Sequence, residues 1–372
     1  MNERKALRQN RILRNITLAL LIVTLVIAAA LITSIITVQA SERAQAREEA
    51  QAVENTDYIE NNLGAGRRSE ATVISAPKAD PEVPEEAKDP EPAPAVTVDN
   101  FQLYDSLASL RPDIEISSTS ALMMERETGQ IIYSKDPIRS TYPASIAKIM
   151  TAIVGIEHCP DLNASVTITD AMLEGLLEAD ASVAGFVSGE EVQYIDLFYA
   201  LLLPSGADAA NAIAISLFGS IDAFVQEMND MALQLGMVAT HYTNVSGLHD
   251  VKMRTTATDV AMLFNYALSN DVFRSVITKQ SYTTAATNKH PDGLTVYSTM
   301  FSMLPKTEFE NGAVILGGKT GTTTPAGQCL ASFGSYQGRE YILVTLGAFG
   351  YESGQHMNIE DAMTLYSLLS LN

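Results

Sequence analysis

The 372-residue chain has no tryptophan, only two cysteines, and a shortage of positive charge, with 24 lysines and arginines against 44 aspartates and glutamates. Two cysteines, Cys159 and Cys329, cannot form the dense cross-linked framework of a small secreted domain. They allow either one bridge or two buried free thiols, and both readings stand. The net charge of -20 excludes a nucleic-acid binder, because displacing counterions from a phosphate backbone takes a basic surface. Histidine is also scarce. His158, His241, His249, His290 and His356 supply no H-E-x-x-H and no closely paired ligands, which speaks against a zinc peptidase and predicts neither a metal nor a cofactor. None stands near a G-x-S-x-G stretch, so a histidine-dependent serine triad has no support either.

What is present begins with a basic, then apolar, N-terminus. Arg4, Lys5, Arg8, Arg11 and Arg14 precede an apolar or hydroxyl run from Ile16 to Val38, close to the ~20 residues that span a bilayer as a helix. The positive flank stays cytoplasmic, so the rest of the chain faces outward. Val38-Gln39-Ala40 also offers the small residues of a signal-peptidase site, but the length of the run favours a retained anchor. Both readings export the remainder. Residues 1–40 are therefore expected to be a basic segment and transmembrane anchor (or signal peptide), and 41–100 a linker. Within the linker, "APKADPEVPEEAKDPEPAPAV" from Ala76 alternates proline with acid and reads as a stiff spacer that cannot bury enough surface to fold. Residues 101–372 are globular in composition.

Within that globular part, "ALMMERETGQIIYSKD" from Ala121 reads as two short strands turning at Thr128-Gly129. Helical spacing dominates from Ser145 to about Asn270, including "EEVQYIDLFYALLLPSGADAANAIAISLFG" from Glu190 and "IDAFVQEMNDMALQLG" closing on Gly236. Strands return after Gly312 and include a hairpin turning at Gln337-Gly338, and "IEDAMTLYSLLSL" is a last helix. Strands at both ends with helices between them imply one α/β (α+β) domain whose sheet is completed by distant parts of the chain.

The chemistry is expected at "TYPASIAKIMTAIV" from Thr141. A serine hydroxyl is a poor nucleophile until a base takes its proton, and lysine is the base left once histidine is set aside. Spacing of i, i+3 places Ser145 and Lys148 on one helical face. Ala147, Ile149 and Met150 around Lys148, together with the positive end of the helix dipole, disfavour its ammonium form, and a neutral lysine is a competent base. Ser145 at the helix start also offers an outward backbone N–H that can help hold an oxyanion. One S-x-x-K match is expected by chance in a chain of about this length. The support is downstream, in "GGKTGT" from Gly317 to Thr322, where a strand ends in lysine, hydroxyls and a glycine. Glu174, Glu178 and Asp180 read as a solvated acidic face rather than a calcium site, and Tyr194, Phe198 and Tyr199 as core.

At these residues the sequence resembles the low-molecular-mass penicillin-binding proteins of the D-alanyl-D-alanine carboxypeptidase type, whose motif set includes S-x-x-K and K-T-G. "YPASIAKIMTA", "YALLLPSGADAANAIA", "FVQEMNDMALQLGM", "TNVSGLHD", "GGKTGTTTPAGQCLASFG" and "DAMTLYSLL" carry the likeness across 101–372. The resemblance implies a β-lactamase/transpeptidase-like fold, an antiparallel sheet flanked by helices with an inserted helical subdomain. It also implies an acyl-enzyme reaction on the peptidoglycan stem peptide, with β-lactams acylating the same serine. Ser145 is then the nucleophile and Lys148 its base, and Ser205 relays the proton towards the leaving amine. The N–H groups of Ser145 and Thr322 hold the oxyanion. Lys319 contributes positive potential, Thr320 and Thr322 donate to the substrate carboxylate, and Gly321 allows close packing.

One departure stands out. The family's second motif is Ser-x-Asn, whereas here Ser205-Gly206-Ala207 is followed by Asp208. Asp208 is expected to cap or pair locally, and His249 in "SGLHD" to be structural. A catalytically weakened cell-wall or β-lactam binding protein is therefore the first alternative to a carboxypeptidase. A β-lactamase is the second, disfavoured because no E-x-x-L-N-like stretch lies between the second and third motifs.

Overall fold

Strands that are apolar on both faces organise the fold. The computed structural model describes residues 113–350 and 354–370. In chain order, β1 (Ser118–Glu125) and β2 (Ile131–Lys135) form a hairpin, and a 3-10 turn over Ala144–Ala147 leads into α1 (Lys148–His158). Short strands β3 (Ser165–Thr167) and β4 (Glu191–Gln193) enclose α2 (Asp170–Leu173). Then come α3 (Tyr194–Leu202), α4 (Ala207–Phe218), α5 (Ile221–Gln234), α6 (Ala257–Ala267) and α7 (Asp271–Ile277). A small hairpin, β5 (Ser281–Thr283) with β6 (Thr295–Tyr297), and α8 (Thr299–Met303) return the chain to the sheet. There it forms β7 (Val314–Thr323), β8 (Gly327–Tyr336) and β9 (Arg339–Ala348), followed by α9 (Met357–Ser367).

The main sheet has five strands in the order β2-β1-β9-β8-β7, every pair antiparallel. β1 lies between its own hairpin partner and a strand from the far end of the chain, with Ala121 opposite Thr345 and Met123 opposite Leu343. The period-2 alternation of strand side chains divides the sheet's residues between two cores. Leu122, Met124, Ala331, Phe333, Ile342 and Val344 face the helical region and pack with Ile149, Ile153, Phe198 and Phe264. Ala121, Met123, Leu330 and Leu343 face the other way, onto Ile359, Ala362, Leu365 and Tyr366 of α9. With both faces covered, these strands read as continuous apolar runs.

Both expected hairpins form. The β8–β9 turn has Gln337 at φ 50° and Gly338 at φ 78°, the two left-handed positions that a two-residue hairpin turn requires. Two expectations need correction. The stretch from Glu190 is not one helix: Glu191–Gln193 is strand, α3 begins at Tyr194, and Pro204 to Gly206 separate α3 from α4. The β5–β6 hairpin also went unread, since three-residue strands carry too little alternation to register. Cys159 and Cys329 are both free thiols. The anchor and linker expected over 1–100 lie outside the described residues. Among the described residues no single helix is long and apolar enough to cross a membrane.

Phe333 is fully buried, with Phe264 6.0 Å away edge-on and the Arg274 guanidinium 5.1 Å from its ring centre. Phe333→Ala is expected to cost about 3–5 kcal/mol of unfolding free energy in urea titration. A loss below about 1 kcal/mol would mean that this face of the sheet is not packed as described.

Candidate active site

The nucleophile's position is set by the strand-like segment before it. Thr141 exchanges backbone hydrogen bonds with Thr255, at 2.9 and 2.8 Å, which pins the entry to the loop ahead of α6. Ala144 then takes a left-handed φ of 47°, a strained conformation for an alanine, and turns the chain into Ala144–Ala147. That segment is 3-10, not the first α-turn expected from the sequence. The tighter winding stacks i over i+3, so Lys148 Nζ lies 3.2 Å from Ser145 Oγ. Ser145 is half-buried, open enough to meet a substrate.

Lys148 opens α1, the helix buried from Lys148 to Ile156, and is itself only 2% exposed. Burial pulls its pKa down to about 7, against the opposing pull of the Asp208 carboxylate. Its Nζ also donates to the Ser246 carbonyl at 2.5 Å. The amine is thus held between a hydroxyl and a carbonyl, and it is neutral in a large fraction of molecules near pH 7.

The third motif lies on β7, at the edge of the sheet. Lys319 is fully buried, its Nζ donating to the Thr320 carbonyl at 2.7 Å. Burial, and then the neighbouring Lys148, push it well below the ordinary lysine range. Gly321 lets β7 run against the nucleophile turn, because a Cβ there would stand 2.8 Å from the Ser145 nitrogen. The Thr320 hydroxyl is 2.7 Å from that of Thr299, and Thr322 is exposed at the strand's end.

Ser205 occupies the turn between α3 and α4 with a left-handed φ of 69°. Its hydroxyl is buried and has no hydrogen-bond partner. Ala207 is buried at the start of α4. Asp208 is not a ligand-facing group: its carboxylate accepts from the backbone N–H groups of Ala184, Gly185, Phe186 and Ala209. It ties the 184–186 loop to the Ser205 turn and reaches Lys148 only through its charge.

Ser145, Lys148, Lys319 and Gly321 are therefore brought together, and a residue the sequence reading missed ties Thr320 to the chain just before Ser205. Thr299 donates its N–H to the Leu203 carbonyl at 3.0 Å, two residues before Ser205, while its hydroxyl meets Thr320. A single threonine at a helix start gives no signal that could have found it. The Asn244–Leu248 loop was legible only as a family-like stretch. Its Gly247, at φ 77°, passes so close to the nucleophile turn that a Cβ would come within 1.9 Å of the Ala144 carbonyl oxygen. His249 is exposed and packs edge-on against Tyr142 at 4.8 Å. Glu174, Glu178 and Asp180 are all exposed, whereas Tyr194, Phe198 and Tyr199 are buried. No three metal-ligating side chains converge among the described residues.

A serine beside a buried lysine of lowered basicity, with a lysine-bearing edge strand packed against the same turn, is the arrangement of a serine–lysine acyl-transfer site. The model of the D-alanyl-D-alanine carboxypeptidase family matches residues 107–350, and the chain belongs to that family of serine peptidases. It is 30% identical over 241 residues to a D-alanyl-D-alanine carboxypeptidase of Streptomyces sp. strain K15, covering 62% of this chain and 80% of that one. A D-alanyl-D-alanine endopeptidase of Pseudomonas aeruginosa is 29% identical over 242 residues, 63% of this chain and 73% of the relative. The crystal structure of the Streptomyces K15 DD-transpeptidase superposes with a TM-score of 0.61 at 26% identity, over 68% of this chain and 98% of that one. The mixed α/β fold is thus that of the DD-transpeptidases.

Gly247→Ala would force the loop and the nucleophile turn apart by an ångström or so, and misplacement of that order costs ~10²-fold in rate. Acylation by a penicillin, followed by intact mass, is expected to slow by at least that factor. A rate unchanged from wild type would show that Gly247 does not set the position of Ser145.

Proposed function

We propose that this protein removes the terminal D-alanine from peptidoglycan stem pentapeptides through an acyl-enzyme, and that β-lactams acylate the same serine. The observation that carries this reading is Lys148 Nζ at 3.2 Å from Ser145 Oγ with its ammonium disfavoured by burial. Neutral Lys148 takes the Ser145 proton as the oxygen attacks the penultimate D-alanine carbonyl, and the N–H groups of Ser145 and Thr322 receive the negative charge that develops. Ser205 passes the proton to the departing amine, and water then releases the shortened peptide. The substrate carboxylate takes hydrogen bonds from Thr320 and Thr322. An anion there favours the ammonium of Lys319, so positive potential appears where and when substrate binds.

The reading extends to the cell envelope. A basic flank, an apolar Ile16–Val38 run and a proline-rich acidic spacer support an extracytoplasmic catalytic domain, 101–372, carried on a membrane anchor over 1–40 by the 41–100 linker.

Full-length protein incubated with benzylpenicillin and, separately, with a pentapeptide ending in D-Ala-D-Ala tests the reading by intact mass and by release of alanine. A penicilloyl adduct on wild type but not on Ser145→Ala, with loss of one alanine from the peptide, is the expected result. An adduct without peptide cleavage would make this a cell-wall binding protein, and rapid loss of the adduct would make it a β-lactamase. No adduct at all would remove Ser145 from the mechanism.

Two further outcomes are expected. Because the base is the neutral lysine, acylation should rise with pH through about 7; a flat profile from pH 5 to 9 would exclude Lys148 as the base. Ser205→Ala removes a buried hydroxyl without a partner, so it should leave the melting temperature unchanged or raised while lowering peptide turnover by ~10²-fold. A lower melting temperature with full turnover would give Ser205 a structural role instead.

A further inference from the structure

A buried primary amine can serve as a base only if its lone pair, rather than an N–H, points at the hydroxyl it must deprotonate. Its hydrogens need acceptors elsewhere. For Lys148 the structure supplies one directly, the Ser246 carbonyl at 2.5 Å. That carbonyl is on the loop between α5 and α6, and one side chain makes four hydrogen bonds within that loop. Asn244 Oδ1 accepts from the N–H of Ser246 at 3.1 Å, the N–H of Gly247 at 2.8 Å and the hydroxyl of Ser246 at 3.2 Å. Asn244 Nδ2 donates to the Leu248 carbonyl at 2.9 Å. From the other side, Thr151 on α1 donates its hydroxyl to the Val245 carbonyl at 2.7 Å. The carboxamide organises one turn of backbone, and that turn presents one carbonyl to the lysine.

The second motif supplies no such acceptor from its side chain, because position 207 is alanine and a methyl group accepts nothing. We propose that Asn244 is a positioning residue for the catalytic base, holding from the α5–α6 loop the Ser246 carbonyl that turns the Lys148 lone pair towards Ser145. The proposal rests on the reading of Lys148 as the base of Ser145. The charged group that acts on Lys148 is Asp208 from α4; Lys319 on β7 is itself lowered, by burial and then by Lys148. Asn244 adds no charge; it acts through the geometry of the Ser246 carbonyl.

The test compares wild type, Asn244→Leu, Asn244→Asp and Thr151→Val as full-length proteins, measuring non-covalent binding of benzylpenicillin separately from the acylation step, and repeating the latter across pH. Leucine fills the same space without bonds. Aspartate keeps the acceptor side and loses the donor to Leu248. Thr151→Val weakens the loop from α1 while leaving Asn244 in place and the helix intact. Acylation is expected to slow by ~10- to 100-fold in Asn244→Leu and by less in Asn244→Asp and Thr151→Val, with non-covalent binding within about threefold of wild type. In Asn244→Leu the acidic limb should move to lower pH as the ammonium loses the carbonyl that stabilises it, a change that a merely lower folded fraction cannot produce.

Acylation of Asn244→Leu at the wild-type rate, an unmoved limb, or Asn244→Asp as slow as Asn244→Leu would each overturn the proposal. If Asn244→Leu does not fold, wild-type acylation rate and limb in Thr151→Val overturn it, and a slowed rate with a shifted limb sustains it. Failure of the wild type itself to be acylated would instead remove the underlying reading of Ser145 and Lys148, so the two failures are told apart.

Discussion

The site depends on keeping one lysine amine out of water. Lys148 sits at the start of a helix that is buried almost throughout, and the desolvation that lowers its affinity for a proton comes from the same packing that forms the core. A charged amine there without partners would cost more than the fold could easily bear. A neutral one held between Ser145 and the Ser246 carbonyl does not. Stability and reactivity therefore point the same way. Asp208 opposes this tendency, and Lys319 on β7 is lowered first by its own burial and then by Lys148, so the two amines are tuned by elements that meet only in the folded state.

Closeness of backbone to backbone is the second requirement. The nucleophile turn is enclosed by β7 at Gly321 and by the α5–α6 loop at Gly247, and at each contact a Cβ would overlap main-chain atoms. Ala144 and Ser205 take left-handed conformations without being glycine, and both lie in motif turns. Strain of this kind persists only where surrounding structure over-determines it. Here the Thr141–Thr255 bridge holds one turn, and the Thr299 bond to Leu203 holds the other. Thr299 has a wider effect, since its hydroxyl also meets Thr320 and so joins the two walls of the site.

The second motif shows how a conspicuous difference can be local in its consequences. Asp208 pairs locally, as expected: its carboxylate is occupied by four backbone donors from the 184–186 loop and α4. It holds the Ser205 turn against that loop, while the Ser205 hydroxyl itself has no partner. The acceptor that Lys148 does have, the Ser246 carbonyl, comes from a loop distant in sequence.

Ser145, Lys148, Lys319 and Gly321 were legible because side chains three apart on one helical turn meet, and because the S-x-x-K and K-T-G stretches together carry a family resemblance that neither carries alone. Those are local rules, and they hold whatever the remainder of the chain does. The β1–β2 and β8–β9 hairpins were legible for the same reason: their turns need glycine and left-handed backbone at defined places. The β5–β6 hairpin, the 3-10 winding at Ser145, the Thr299 bridge and the Asn244 loop were not, since each depends on contacts between segments far apart in sequence, and no local pattern encodes a partner that distant. By itself the sequence determined which groups could react. Tertiary structure decided how basic Lys148 is, because its desolvation and its second partner are supplied by packing.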